Sequence, residues 1–248
     1  MAEPGAERTF ELRTPELAAY QRFDLQVLEG SGPSRVAGAL LRAPGALLRD
    51  LGQGRRVGAH LASLLGVAVG FCALYGAVLG LHQPGWQTLF AALKIPIVVV
   101  GSSLLCTPTL YVFNALGGSR LSGGQTAAVV ATMAAAISVI LLAFTPVVWF
   151  FGVSTEGFGF MTILHLSVFG FAVAFGLRML RTARGYLRYL DGSEAIGAGI
   201  LGAWSLLVVV VGLQMAHNFR PILLEGPFHS GQRGLFIEFL FNLRHGTM

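Results

Sequence analysis

Five long stretches of this chain carry almost no charge, and that pattern decides most of what it can fold into. They run over residues 59–81, 91–114, 126–151, 158–180 and 196–217. About 20 apolar residues, rising about 1.5 Å each in a helix, cross a hydrocarbon core of roughly 30 Å. None of the five shows the strict alternation of a barrel strand. The fold class they predict is therefore all-α, a polytopic transmembrane helical bundle of five spans. The third stretch is the longest and is expected to tilt, or to bend at Pro146. Composition closes the soluble alternative. Only 12% of the 248 residues are charged and 54% are hydrophobic, whereas a soluble domain carries about 25% charged residues. The 33 glycines follow no G-X-Y period, which excludes collagen.

The direction of threading follows from the basic residues. Eight arginines precede the first span, at 8, 13, 22, 35, 42, 49, 55 and 56. Arg120 lies between the second and third spans, and Arg178, Arg181, Arg184 and Arg188 mark the connection from fourth to fifth. Arg220, Arg233 and Arg244 follow the last span. A cytoplasmic N-terminus puts thirteen of these inside and three outside; the opposite topology inverts the ratio. The expected orientation is N-inside and C-outside, in the cytoplasmic (inner) membrane. Trp86, Trp149 and Phe150 fall near outer span ends, and Tyr186 and Tyr189 flank the inner connection, where amphipathic rings settle at headgroup level. The first thirty residues lack an apolar h-region, so the first span is expected to act as the insertion signal. A net charge of +5 does not argue for nucleic acid, because the arginines cluster at span edges where anionic lipid headgroups meet them.

Four regions result. Residues 1–33 read as a mobile cytoplasmic arm ending in Gly30-Ser31-Gly32-Pro33. Residues 34–58 form an amphipathic juxtamembrane segment built on a short repeat, RVAGALL followed by RAPGALL. Arg35, Arg42, Arg49 and Arg56 stand seven residues apart. Seven residues are nearly two helical turns, so the arginines share one stripe and the leucine pairs another. The segment is expected to lie on the anionic inner leaflet or to offer a docking face, with Pro44 dividing it into two pieces. The bundle occupies 59–217. Residues 218–248 form an extracytoplasmic tail whose apolar stretch 234–241 is too short to cross and reads as a short interfacial helix.

Chemical motifs are few. Residues 121–125 spell LSGGQ, a signature of ABC-type nucleotide-binding domains, but no G-x-x-x-x-G-K-[ST] accompanies it. No nucleotide is expected; the motif reads as an inner hairpin turn with Ser122 as N-cap. Lys94 is an ionisable residue in a span, a functional candidate by default, though one turn from the span's outer end it could snorkel to water, with Pro96 in the first turn. Pro108 removes a mid-helix hydrogen bond that Thr107 or Thr109 could restore. Asn114 and His165 are further polar candidates, and His217, Asn218 and Arg220 form the densest polar group at one membrane level. Cys72, Cys106, His60, His165 and His217 fall at different depths, so neither a metal site nor another cofactor is expected. Small-xxx-small spacing at Gly66/Gly70, Gly76/Gly80, Ala172/Gly176 and Gly199/Ala203 serves either internal packing or docking of another helix. The spacing alone does not separate the two.

The stretch from Ala92-Leu93-Lys94-Ile95-Pro96 through Asn114-Ala115-Leu116-Gly117-Gly118-Ser119-Arg120-Leu121-Ser122 resembles a widespread set of bacterial multi-span inner-membrane proteins. Ala143-Phe144-Thr145-Pro146, Phe219-Arg220-Pro221 and Gly226-Pro227-Phe228 extend that likeness over most of residues 35–245. More loosely, the chain resembles the Yip family, five-span proteins of membrane trafficking. The resemblance implies the architecture and carries no activity. With no complete catalytic set, the expected function is a non-enzymatic accessory or scaffold subunit whose partners are lipids and other membrane subunits or a second copy. The alternatives are a small-solute channel or permease using the Pro108 kink and the His217–Arg220 group, or an intramembrane lipid-modifying enzyme.

Overall fold

The computed structural model describes residues 20, 22–23, 28, 30–81, 85–116, 118–119, 121–155, 158–191 and 198–219, the side chains of Phe158, Asp191 and Ala198 excepted. Among these, five helices are long and apolar enough to cross a membrane, and the protein is a multi-pass helical bundle. Two short helices, α1 (Pro33–Arg42) and α2 (Pro44–Gly52), precede the first span α3 (Val57–Gly80). The second span is α4 (Trp86–Pro96), a π-helical turn (Ile97–Gly101) and α5 (Ser102–Leu116) in continuous succession. Then come α6 (Gly123–Ser154), α7 (Phe158–Asp191) and α8 (Ala198–Asn218).

The span bounds differ from expectation in two places that matter for function. The second span begins at Trp86, after Gly85 at φ +138°, five residues before the expected start. Lys94 and Pro96 are therefore two turns or more inside a helix rather than in its first turn. Pro96 offers no N–H to the preceding turn, and the helix widens into the π-helical turn directly after it. The Val99 carbonyl there accepts hydroxyls from Ser102 at 3.2 Å and Ser103 at 2.7 Å. The fourth span does not stop near Leu180 but continues to Asp191. Its sequence from Arg181 to Leu190 has one glycine and no proline, so nothing stops the helix where the hydrocarbon does.

Helix α6 sits at the centre, packed by α3 and α7 and flanked by α5. Its buried run Ala128–Ser138 is dominated by alanine, which lets three neighbours approach closely. Three glycines make close crossings between spans. A Cβ at Gly76 would strike the Ala91 carbonyl, and one at Gly80 would strike the Thr88 backbone. A Cβ at Gly176 would strike Ile137. Helix α8 is peripheral and leans on the second span. Trp204 donates its indole N–H to the Cys106 carbonyl at 2.9 Å, and Gly101 and Gly212 admit Met215 and Ser102 at the π-helical turn.

The short helices cap the arginine-rich end. Pro44 divides them as its sequence position predicts, with Ala43 at φ −146° between. One arginine stripe across 35–56 does not survive: it needs a single continuous helix, but Arg56 ends the series in a left-handed turn at φ 48°. The leucine stripe divides as well: Leu41 of α1 is 66% exposed, whereas the leucines of α2 turn inward. Leu47, Leu48 and Leu51 have no exposed surface, because α2 packs on α7 and α6 and α1 on α3. The arm is also less independent than its composition suggests. Tyr20 and Phe23 pack on Tyr186, with ring centroids 5.8 and 5.4 Å away, and Tyr20 reaches Tyr189. Tyr186 is thus fully buried among aromatic rings rather than turned to the headgroups, an edge-to-face packing that adds to the burial of each ring.

Candidate functional site

The LSGGQ stretch resolves into a clamp. Ser122 caps α6 with a full capping box: its hydroxyl accepts the Gln125 N–H at 3.2 Å, and the Gln125 side-chain oxygen accepts the Ser122 N–H at 2.8 Å. The Gln125 amide then donates to the carbonyls of Leu51 and Gly52, at 2.8 and 3.1 Å. Those are last-turn carbonyls of α2, beyond the reach of regular helical bonding; the Leu51 carbonyl also accepts the Gly54 N–H at 3.1 Å. One glutamine therefore starts α6 and holds α2 down on it. The nearby contact between the Asp50 carboxylate and His60 Nε2, 3.3 Å apart, and the Ser63 hydroxyl donated to the Ser31 carbonyl fasten the capping layer to α3.

The intramembrane candidates separate into distinct places. Lys94 is fully buried, its ammonium 5.8 Å from the Phe90 ring centroid; it does not reach water as a first-turn lysine would. Pro108 lies on the exposed face of α5. The Thr107 hydroxyl donates to the Ser103 carbonyl at 2.9 Å, not to the Leu104 carbonyl that Pro108 leaves open, because a helical threonine reaches one turn back from its own position. Asn114, near the end of α5, points its amide at the Thr126 hydroxyl of α6, 3.5 Å away, while its Oδ1 is buried without a hydrogen-bond partner. His165 of α7 meets the Tyr75 hydroxyl of α3 through Nδ1 at 2.9 Å, the rings edge to face. His217 is buried at the end of α8, and the Asn218 side-chain oxygen accepts the Gln214 amide at 3.2 Å. Arg220 and the apolar stretch 234–241 lie outside the described residues.

Among the four juxtamembrane arginines, Arg35, Arg42 and Arg56 are exposed and Arg49 is half-buried. Cys72 and Cys106 are buried free thiols, and among the described residues no three His, Cys, Asp or Glu side chains converge on one point.

The structure separates what small-residue spacing left open. Gly76/Gly80 and Ala172/Gly176 are consumed by internal crossings. Gly66/Gly70 are exposed, with nothing within 4 Å of a Cβ built on either, and Gly199 is open in the same way. Gly58, also open, and Ala62, also exposed, extend the α3 series. Every fourth residue from 58 to 70 is then small and faces outward. Gly58 and Ala62 belong to no pair singled out from the sequence, although their four-residue spacing is visible there. Tyr75 is not distinguished by the sequence at all, and the roles of Gln125 and Arg184 depend on partners distant in sequence or on burial.

Compared with known proteins, the chain matches no family model, no curated protein and no solved structure, and these comparisons do not bear on the likeness to the Yip family.

Proposed function

We propose that the protein is a non-enzymatic scaffold subunit of a membrane assembly, threaded N-inside and C-outside through the inner membrane. The outward small-residue row of α3 is the observation that carries this reading. In lipid, helices associate through backbone approach rather than through burial of apolar area, and small residues four apart permit the closest approach. The bundle already uses that device internally at Gly76, Gly80 and Gly176. Leaving a second such row uncovered offers a partner helix the same crossing. The partner is a span of another subunit or α3 of a second copy. The test is cross-linking and native mass spectrometry of the full chain extracted in mild detergent. Wild type is expected to carry a companion or a second copy, and Gly66→Leu with Gly70→Leu to abolish it at an unchanged melting temperature. A wild-type protein that is solely a monomer without companion contradicts the proposal.

The permease reading has one observation in its favour: buried Lys94 lies two residues before Pro96 and three before the π-helical turn. Irregular turns of that kind recur at functional sites. It predicts solute flux in proteoliposomes that Lys94→Met abolishes.

A further inference from the structure

The continuation of α7 past Leu180 converts what reads as a basic connection into a structured array. Arg178, Arg181, Arg184 and Arg188 stand on one helix at steps of three, three and four residues. At about 100° per residue they fall within about 120° of its circumference. Like charges three and four apart repel weakly along a helix, a cost that an anion beside the row relieves. Arg184 adds to that cost. It is 8% exposed, and its Nη1 is buried without a hydrogen-bond partner. Its neighbours Ala183, Tyr186 and Leu187 are buried with it, at the level where a Cβ on Gly52 of α2 would meet Leu187 and Leu190. A guanidinium taken out of water and left with an open donor is costly until an anion occupies it.

We infer that the face of α7 bearing Arg181, Arg184 and Arg188 is a binding site for a phosphate group. Guanidinium forks match phosphate oxygens in two-point hydrogen bonds that an ammonium cannot reproduce. The location favours a lipid headgroup as the source. Ala174, Gly170 and Leu166 lie within about 60° of Arg181 around the helix, two to four turns below it, and all three are exposed. An acyl chain lying along that face brings its phosphate to the arginines, the arrangement by which basic pockets beside membrane helices take anionic headgroups. The inference rests on the membrane reading and not on the scaffold role, and its test does not read assembly.

The test uses the full chain in dodecyl maltoside, probed with dioleoyl phosphatidylglycerol, dioleoyl phosphatidylcholine or inorganic phosphate, with native mass spectrometry and melting temperature as readouts. Wild type is expected to retain phosphatidylglycerol and to melt higher with it, and to gain neither retention nor stability from phosphatidylcholine. Arg184→Gln is expected to cut retention about fivefold, the factor that one arginine at a headgroup carries. Arg181→Gln, at an exposed position, does the same should Arg184→Gln fail to fold, while Arg55→Gln leaves retention unchanged. Inorganic phosphate that stabilises wild type and displaces the lipid, with the same dependence on Arg184, assigns the site to a soluble phosphate. Equal retention of the two lipids, or undiminished retention in the folded arginine variants, overturns the inference.

Discussion

Tyr75 and Gln125 carry more of the structure than their types suggest, because each joins elements far apart in sequence inside a medium that offers no replacement partner. Tyr75→Phe deprives the buried His165 Nδ1 of its 2.9 Å partner. The expected cost is about 1–3 kcal/mol, the range for a buried polar group that loses its bond, measured as a lower melting temperature in detergent. Gln125→Ala removes both donations to α2 and the back half of the capping box. It is expected to cost about 1–2 kcal/mol and to raise amide exchange selectively over residues 44–56. Uniform exchange across the bundle would show instead that α2 is held by leucine burial alone. The sequence makes Ser122 recognisable as an N-cap, because cap and capping-box partner lie three residues apart. It does not reveal the second role of Gln125, whose acceptors precede it by more than seventy residues.

Helices differ in how much of their surface is already committed, and glycine reports which part. Leucine at Gly176 must displace Ile137 of α6, and leucine at Gly76 must displace the backbone of α4. Each substitution is expected to destabilise by about 1–3 kcal/mol or more through overpacking. Leucine at Gly66 enters open space and is expected to leave the melting temperature of the isolated protein unchanged. Equal loss at all three positions would mean that the Gly66 face is not open. The five spans themselves are legible from apolar runs, since hydrocarbon thickness sets their minimum length. Their ends are not. Hydropathy marks where lipid stops, whereas backbone propensity decides where a helix stops, which is why α7 outruns its apolar stretch and carries four arginines in register. The leucines of α2 are likewise legible as an apolar face, but sequence periodicity does not say whether lipid or the chain's own bundle covers it.

At the scale of the molecule, the bundle places its polar fastening at one end and its open apolar faces along its flanks. The arginine-rich end holds α1, α2, the Gln125 clamp, the Asp50–His60 pair and the aromatic cluster, a layer suited to the water–lipid boundary. The flanks leave Phe171, Phe175, Leu206 and Val210 exposed, which a lipid environment solvates at no cost. An odd number of crossings with arginines gathered at one end requires the two chain termini to lie on opposite sides of the membrane. The direct measurement is the reactivity of single tags, one at each terminus, toward an impermeant reagent in sealed cells and again after permeabilisation. The C-terminal tag is expected to react in sealed cells and the N-terminal tag only after permeabilisation. Both tags reacting under the same condition would contradict five crossings.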